Sequence, residues 1–416
     1  MNTWSLSWNG LFTVIMLETR LRIRSKRWLT ALGAWFCLIG AITGLIIWAA
    51  RRAFVNSCGT HCIGSESAAG PVAFAVIAMF VLGMGLITAP AFTGTAINAH
   101  RNQGTLARLQ ATRLSALEIV AGKLVAAWCT AVVFLITALP FILVSITLGN
   151  ISFWEMTVCF VVAFAMVAVV CAIGLGYSSL FNRPSVSGLL TYATTAALAI
   201  ISPLVMMLTV PFTQGEVSQR VWGLADDHLT AFNVEVGLFW SEHPDGQGDG
   251  APVPPVDKCQ WYDRTYTTTR TDYTWWVLVG NPFVIVADAA PSPPAAIAAA
   301  SDALLIGDPF DAIRQGVRQM RIGPLREVDE CTGLYAWNPD YEVVTNLDGT
   351  LSVLTRDGAR ADVPAAPVRP RPIHSDYPVW PWGLLANLAI GASFFVVAVR
   401  RLRIPYDKLP PGTRVS

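Results

Sequence analysis

The stretch NQGTLARLQATRLSALEIVAGK, residues Asn102–Lys123, is a polar, partly basic segment between two long apolar runs. The side chain of Asn102 suits a helix N-cap, because its oxygen can accept a hydrogen bond from a free backbone amide. Leu106 and Leu109 are spaced so that they share one face of a helix. The stretch therefore predicts a short helix over residues 102–113, which connects two apolar segments.

A capping box follows this short helix. In such a box the oxygen of Ser115 accepts from the backbone amide of Glu118, and the carboxylate of Glu118 reaches back to the amide of Ser115. The box predicts that a new helix begins there. The short helix is expected to dock in a groove of a cytoplasmic partner and to pass its movement to the following helix; the alternative is a helix that rests on lipid headgroups.

Six apolar runs are long enough to cross a membrane. Only 14% of the 416 residues are charged, against about a quarter in soluble globular domains. A hydrocarbon core about 30 Å thick requires about 20 apolar residues in a helix. The predicted fold is an all-α polytopic membrane protein whose spans are Trp28–Ala50, Pro71–Ile97, Glu118–Leu148, Phe153–Leu180, Pro184–Val210 and Val379–Val399.

The distribution of Lys and Arg predicts the orientation of these spans. Basic residues are concentrated before the first span, between the second and third spans, and after the sixth span. The short loops on the other side carry Arg51 and Arg52. Because basic loops stay on the cytoplasmic side, both termini are expected in the cytoplasm, and residues 400–416 form a cytoplasmic tail. Residues 211–378 are expected outside the cell, and the membrane is expected to be the plasma membrane.

Residues 1–27 contain a predicted amphipathic helix. Trp4, Trp8, Leu11, Phe12 and Ile15 recur at helical spacing and are followed by a basic cluster. This pattern is typical of a helix that lies in the membrane interface before it leads into a span.

The segment 211–378 predicts an α+β domain between the fifth and sixth spans. Residues 341–363 alternate strand-forming runs with Asp-Gly turns, and residues 295–320 have a helical pattern. The apolar piece 274–290 is interpreted as a buried or membrane-surface element of this domain, because a seventh span would place the basic C-terminal tail outside. The domain is expected to act as a cap over the membrane part or, alternatively, as a partner-docking or purely structural unit.

Four cysteines lie in segments expected outside, where disulfides persist. Four cysteines allow three pairings, and we favour Cys58–Cys62 and Cys259–Cys331 because each pair lies within one loop or domain. The run CGTHC could instead bind a metal through His61, but three ligands in such a short loop make a poor tetrahedral set. We therefore predict no metal site.

The sequence argues against a self-powered transporter and against an enzyme. No Asp, Glu, Lys or Arg lies in the middle of a predicted span, whereas proton- and ion-driven pumps usually need such groups. A P-loop would require Ser or Thr after Gly122-Lys123, but Leu124 follows. The net charge of +1 gives no indication of a nucleic-acid partner.

The opening stretch resembles the signature of permease subunits of type-2 ABC exporters. Gly104-Thr105-Leu106, Leu109, Leu114-Ser115, Ile119-Val120 and Gly122-Lys123 match that signature. The family often has Glu where this chain has Asn102-Gln103. This chain therefore lacks a charge that could pair with the ATPase. It often has Pro where this chain has Arg113.

The resemblance implies a separate cytoplasmic ATPase that binds ATP and Mg, so this chain is expected to be no enzyme and to hold no cofactor. It also implies two permease copies, identical or paralogous, in the bilayer, and export of the cargo. The residues expected to contact the ATPase are Asn102, Gln103, Gly104, Thr105, Leu106, Arg108 and Leu109.

Polar residues in the spans are sparse, which favours an amphipathic or lipophilic cargo. The candidate path residues are Thr88, Thr93, Tyr177, Thr191 and Tyr192. Two rival functions stay open: a non-transporting sensor or anchor whose outer domain binds a ligand, and a membrane enzyme with its site in that domain.

Overall fold

The computed structural model describes residues 6–23, 26–58, 66–98, 115–148, 152–242, 252, 254–255, 258–291, 308–334, 341–345, 351–355 and 377–402. The described chain is mostly helical and forms two compact units. The helical unit takes in the described parts of 1–207, 276–317 and 378–416, and the sheet unit takes in those of 208–275 and 318–377.

Six helices of the described chain are long and apolar enough to span a membrane, as the sequence predicts. They follow a separate N-terminal helix, α1 (Trp8–Ile23). The helices that carry the spans are α2 (Lys26–Cys58), α3 (Glu66–Thr93), α4 (Ala116–Ile136), α6 (Phe153–Leu180), α7 (Pro184–Ala196) with its continuation, and α14 (Trp380–Arg401). In the fifth span, α7 continues through a π-helical turn (Ala197–Ile201) into α8 (Ser202–Thr209) and a 3₁₀ turn (Val210–Phe212).

The third span is shorter than predicted. The sequence suggested one helix over Glu118–Leu148, but α4 ends at Ile136 and a second helix, α5 (Leu139–Leu148), follows a turn. Pro140 explains the break, because a proline ring disfavours helical backbone at the residue before it and supplies no amide.

The second, third and fourth spans form the centre of the helical unit. Ile77, Leu82, Leu135, Met166 and Val167 are among its most completely buried side chains. The sixth span packs against the fourth at small residues: a Cβ on Gly176 would lie 2.5 Å from Phe394, and one on Gly391 would lie 3.3 Å from the backbone of Val169. Small residues of this kind allow helices in membranes to approach closely.

Most of the segment 274–290, from Trp276 onward, belongs to the helical unit and not to the domain that the sequence assigned it to. It forms α10 (Trp276–Val279) and α11 (Pro282–Ala289), and Ile285, Val286 and Ala287 join the same apolar cluster as the spans. Asn281 caps α11 by accepting from the amide of Phe283 at 2.8 Å. The apolar composition of this segment reflects burial among other helices. Neither α10 nor α11 has the length of a span.

Two side chains connect this segment to neighbouring spans. The Asn281 amide donates to the carbonyl of Ala199, in the π-helical turn, at 3.0 Å. The carboxylate of Asp288 accepts from the backbone amides of Val379 and Trp380, at 2.5 Å and 2.9 Å, and so caps the sixth span.

The predicted helix over 295–320 appears as α12 (Pro309–Ile322), and residues 292–307 lie outside the described part.

The sheet unit is built on a three-stranded sheet in the order β2-β1-β3. Strands β1 (Gln214–Gly223) and β2 (Gln260–Thr269) pair antiparallel in the register Gln214↔Thr269, and β3 (Glu327–Asp329) runs parallel to β1. The predicted hairpin is present as β4 (Tyr341–Thr345) and β5 (Leu351–Thr355). Two further helices are α9 (Asp226–Glu242) and α13 (Cys331–Leu334).

One of the two favoured disulfides lies in the sheet unit. Cys259, just before β2, is bonded to Cys331 at the start of α13. The Cys58–Cys62 pair lies outside what the structure describes, because Cys62 is not among the described residues and the side chain of Cys58 is not described.

Candidate functional site

The N-terminal helix α1 packs along the first turns of the third span. Val14 is only 5% exposed, and a Cβ added to Gly122 would lie 2.6 Å from its Cγ1 atom. Gly122 therefore permits a backbone approach that any side chain would block. Leu11 and Ile15 are half-buried on the same side of α1.

The capping box at Ser115 and Glu118 is present, and its carboxylate also binds a second helix. Ser115 Oγ accepts from the amide of Glu118 at 3.1 Å, and Glu118 Oε2 accepts from the amide of Ser115 at 2.8 Å. The other oxygen, Oε1, accepts from the amide of Ser7 at 2.5 Å. The hydroxyl of Ser7 in turn accepts from the amide of Gly10 at 3.2 Å, in the first turn of α1. One carboxylate thus binds the starting turns of two helices that are remote in sequence.

A buried ion pair holds the same two helices together one turn further along. Lys123 Nζ lies 2.5 Å from Glu18 Oε1, and the lysine side chain is 2% exposed. A buried charge is tolerated when an opposite charge and hydrogen bonds compensate its lost hydration. The pair therefore requires α1 and the third span to stay in contact.

The opposite side of α1 is also apolar. Trp8 is 77% exposed and Phe12 is 61% exposed, and Met16 continues the same stripe. The sequence predicted one apolar face that contained Trp8, Leu11, Phe12 and Ile15 together. The structure divides these residues between two sides, because α1 contacts the third span with one side and presents the other outward. Trp4 lies outside the described residues.

The predicted ATPase-contacting residues, Asn102 to Leu109, lie outside the part of the chain that the structure describes. Both ends of the segment 99–114 are described and buried: Asn98 is 0% exposed and Ser115 is 4% exposed. The two points at which this segment joins the spans are therefore described: Asn98 at the end of the second span and Ser115 at the start of the third.

The predicted path residues take part mainly in helix packing. Thr88, Thr93 and Thr191 donate to carbonyls of their own helices. The hydroxyls of Tyr177 and Thr194 lie 3.0 Å apart, which links the fourth and fifth spans. Tyr192 is 43% exposed.

Sequence reasoning missed Ser7 and Glu18 as members of the site. Glu18 carried a weak signal, because it follows Val14 and Ile15 at helical spacing and so places a carboxylate on an apolar side of α1. Ser7 carried no signal, since its contribution is a backbone amide.

The sheet unit contains an open groove of about 550 Å³ that is lined by charged side chains. Arg270 binds the carboxylate of Asp272 with two hydrogen bonds, of 3.1 Å and 2.9 Å, and this pairing holds the pKa of Asp272 below its usual value. The other charged residues of the groove are Glu216, Arg220, Asp263 and Arg326. Because the two signs balance, the groove favours neither anions nor cations.

A family model described as "ABC-2 family transporter protein" matches residues 12–320. This range contains most of α1, the first five spans and the whole of the sheet unit's first segment, 208–275. No curated protein matches the chain.

Proposed function

Because the chain belongs to the ABC-2 transporter family, we propose that it is the permease subunit of an ATP-driven exporter. Proteins of this family are membrane transport components and not themselves catalytic. In this proposal a separate cytoplasmic subunit binds ATP and Mg and supplies the energy. The permease carries no cofactor of its own.

One observation carries the proposal: the carboxylate of Glu118 accepts from the backbone amides of both Ser115 and Ser7, and so caps the starts of two helices. The segment 102–113, which the sequence predicts to contact the ATPase, is followed directly by this cap. A displacement of the segment would pull on Ser115, and the shared carboxylate would pass the displacement to α1 as well as to the third span. Such a connection suits a protein that converts events in a partner into movement of its spans.

The orientation and assembly of the complex follow from the same proposal. Both termini and the segment 102–113 lie in the cytoplasm, and the sheet unit lies outside the plasma membrane, as the basic loops favour. The disulfide Cys259–Cys331 supports this placement, since disulfides persist in oxidising compartments. Two permease copies, or one copy and a paralogue, form the pathway.

The cargo is proposed to be amphipathic or lipophilic. Thr88, Thr93 and Thr191 bind their own helix carbonyls, so few polar groups in the spans are left to coordinate a sugar or an ion. Export is proposed because the resemblance of the opening stretch is to exporters.

Co-purification tests the partnership. The tagged chain is purified in detergent from membranes of the cells that make it naturally, and mass spectrometry identifies the proteins that accompany it. We expect a cytoplasmic protein with a P-loop. Leu106→Asp combined with Leu109→Asp should lower its recovery at least about tenfold, because unpaired carboxylates are costly to bury in an apolar groove.

The matched control introduces the same carboxylates elsewhere. Val234 and Leu238 are 58% and 60% exposed on α9, so Val234→Asp combined with Leu238→Asp should leave recovery unchanged. Equal retention of the ATPase by both double variants would contradict the assignment of residues 102–113. Absence of any P-loop protein from the wild-type preparation would instead favour the membrane sensor or anchor.

A further inference from the structure

The second span is interrupted just before the segment 99–114. Helix α3 ends at Thr93, and Gly94 and Thr95 form a turn before a last helical turn over residues 96–98. The amide of Gly94 still bonds to the carbonyl of Pro90, at 2.8 Å. Within a membrane, backbone groups left unpaired at such a break must find another partner.

Side chains from two other spans supply those partners. Ser178, in the fourth span, accepts from the amides of Ile97 and Asn98 at 2.9 Å and 3.2 Å. Ser187, in the fifth span, donates to the carbonyl of Gly94 at 2.7 Å. The last turn of the second span is therefore attached to the fourth and fifth spans, in addition to its own helix.

Close backbone contact surrounds this attachment. A Cβ on Gly94 would lie 3.1 Å from the Cα of Gly188, and a Cβ on Gly174 would lie 2.1 Å from the hydroxyl oxygen of Thr93. The second and fifth spans consequently meet backbone to backbone at Gly94 and Gly188, and the side chain of Thr93 packs directly on Gly174 of the fourth span. A rotation at Gly94 therefore presses on both neighbouring helices.

The side chain of Asn98 gives the attachment two possible arrangements. Its amide nitrogen donates to Ser187 Oγ at 2.9 Å, while its oxygen is buried and has no hydrogen-bond partner among the described residues. An unsatisfied buried acceptor costs about 1–3 kcal/mol. The single hydroxyl hydrogen of Ser187 lies within reach of the carbonyls of Gly94 and Pro184, at 2.7 Å and 3.1 Å. It can serve the oxygen of Asn98 instead if the Asn98 amide turns over.

We propose that Gly94, Asn98, Ser178 and Ser187 form a two-position hinge that passes movement of the segment 99–114 to the fourth and fifth spans. The inference rests on the proposed function, because it requires a partner that moves this segment. Asn98, Ser178 and Ser187 act in this proposal as positioning residues. In one position Ser187 holds the carbonyl of Gly94, and in the other it releases that carbonyl and binds the side chain of Asn98.

Disulfide cross-linking across the hinge tests this proposal. The Cγ2 atom of Thr95 lies 3.8 Å from the position of a Cβ on Gly188, so Thr95→Cys combined with Gly188→Cys places two thiols within bonding reach. The protein is kept in membranes with the ATPase found by co-purification, oxidised briefly, and analysed by mass spectrometry for the linked peptides. We expect the yield to change at least about threefold between nucleotide-free membranes and membranes trapped with MgATP and vanadate.

Serine variants then distinguish a hinge from simple packing. Ser187→Ala in the same cross-linking background should abolish the nucleotide dependence of the yield. Ser185→Ala is the control, because Ser185 lies on the same helix and is exposed; it should preserve that dependence. Ser178→Ala provides a second test if Ser187→Ala does not reach the membrane.

The outcomes separate this inference from the function on which it rests. If the ATPase co-purifies and vanadate inhibits it, but the cross-link yield is the same in both states, the hinge is wrong and the permease assignment stands. Nucleotide dependence that survives in Ser187→Ala and in Ser178→Ala also overturns the hinge. If no ATPase accompanies the wild-type chain, the proposed function itself fails.

Discussion

At the scale of single residues, Glu118 and Lys123 show why charges occur at the beginning of an apolar helix. Each is nearly inaccessible, at 3% and 1% exposure. Each is compensated by a group on α1 or directly before it: the amide of Ser7, the residue before α1, for the carboxylate, and the carboxylate of Glu18 for the ammonium. Their cost of burial is recovered only while α1 stays docked. These residues therefore make the docking of α1 specific.

Glu118→Gln should loosen α1. A glutamine presents one oxygen and one NH₂ group, so it cannot accept from the amides of both Ser7 and Ser115. Leaving one amide unsatisfied costs about 1–3 kcal/mol. A cysteine at position 14, buried in the docked state, should then react with a maleimide roughly tenfold faster. Glu155→Gln, at an exposed position in the first turn of the fourth span, is the control, and equal rates in the two variants would refute the shared cap.

Asp308→Asn should make the stability of the helical unit less dependent on pH. Asp308 accepts from the amides of Phe310 and Asp311, at 2.9 Å and 3.3 Å, and burial raises its pKa to about 6 from 3.8. The folded state thus binds a proton at the Asp308 carboxylate more tightly than the unfolded state does. The free energy of unfolding should fall as pH rises from about 4 to about 6, by on the order of 2 kcal/mol.

An asparagine caps helices as well as an aspartate does, so the variant should keep α12 and lose the penalty of the buried charge. Thermal unfolding in detergent should show Asp308→Asn to be more stable than wild type at pH 7.5, with little difference at pH 4.5. Asp227→Asn is the control, since its side chain is 75% exposed. A stabilisation that is equal at both pH values would contradict the assignment.

At the scale of elements, hydropathy predicted the spans and turn chemistry predicted the β4–β5 hairpin, whereas strands β1, β2 and β3 were not predicted. The six spans were found because lipid imposes a minimum apolar length, and the β4–β5 hairpin was found from its Asp-Gly turn. Residues 274–290 were placed in the wrong unit because an apolar run shows that a segment is buried but not what buries it. The second function of Glu118 depends on Ser7, which no local pattern connects to it.

Cys331→Ser should destabilise the sheet unit. The disulfide closes a loop with a sequence separation of 72 residues between the start of β2 and α13. Loss of a native disulfide from a small domain typically costs about 2–5 kcal/mol. Limited proteolysis should cleave within residues 208–275 sooner in the variant, while the spans stay protected by lipid. Cys37→Ser, at an exposed free cysteine of the first span, is the control; detection of two free thiols at positions 259 and 331 in the purified wild type would remove the basis of this prediction.

At the scale of the whole molecule, the chain leaves the helical unit twice for the sheet unit and returns to it twice. Residues 276–317 and 378–402 return to the helical unit after parts of the sheet unit. The number of spans decides whether the two termini lie on the same side of the membrane. An even number keeps both termini on one side, as the basic clusters favour.

Thiol labelling of intact cells should therefore give a fixed pattern. In a background with Cys58→Ser and Cys62→Ser, cysteines at positions 182 and 408 should be protected from an impermeant reagent, whereas one at position 227, exposed on α9, should react. Permeabilised cells should expose the first two. Labelling at position 408 from outside would mean that the number of spans is odd.

The cap on the sixth span has a consequence for biosynthesis. Two donors to the carboxylate of Asp288 belong to residues about 91 positions later, so the ribosome supplies them last. Until Val379 and Trp380 arrive, the carboxylate of Asp288, which is 4% exposed in the complete structure, lacks those two bonds. A chain stopped before Val379 should be cleared faster by membrane proteases in a pulse–chase experiment, and Asp288→Asn should slow that clearance. Addition of the last span would thus protect the completed chain from this clearance.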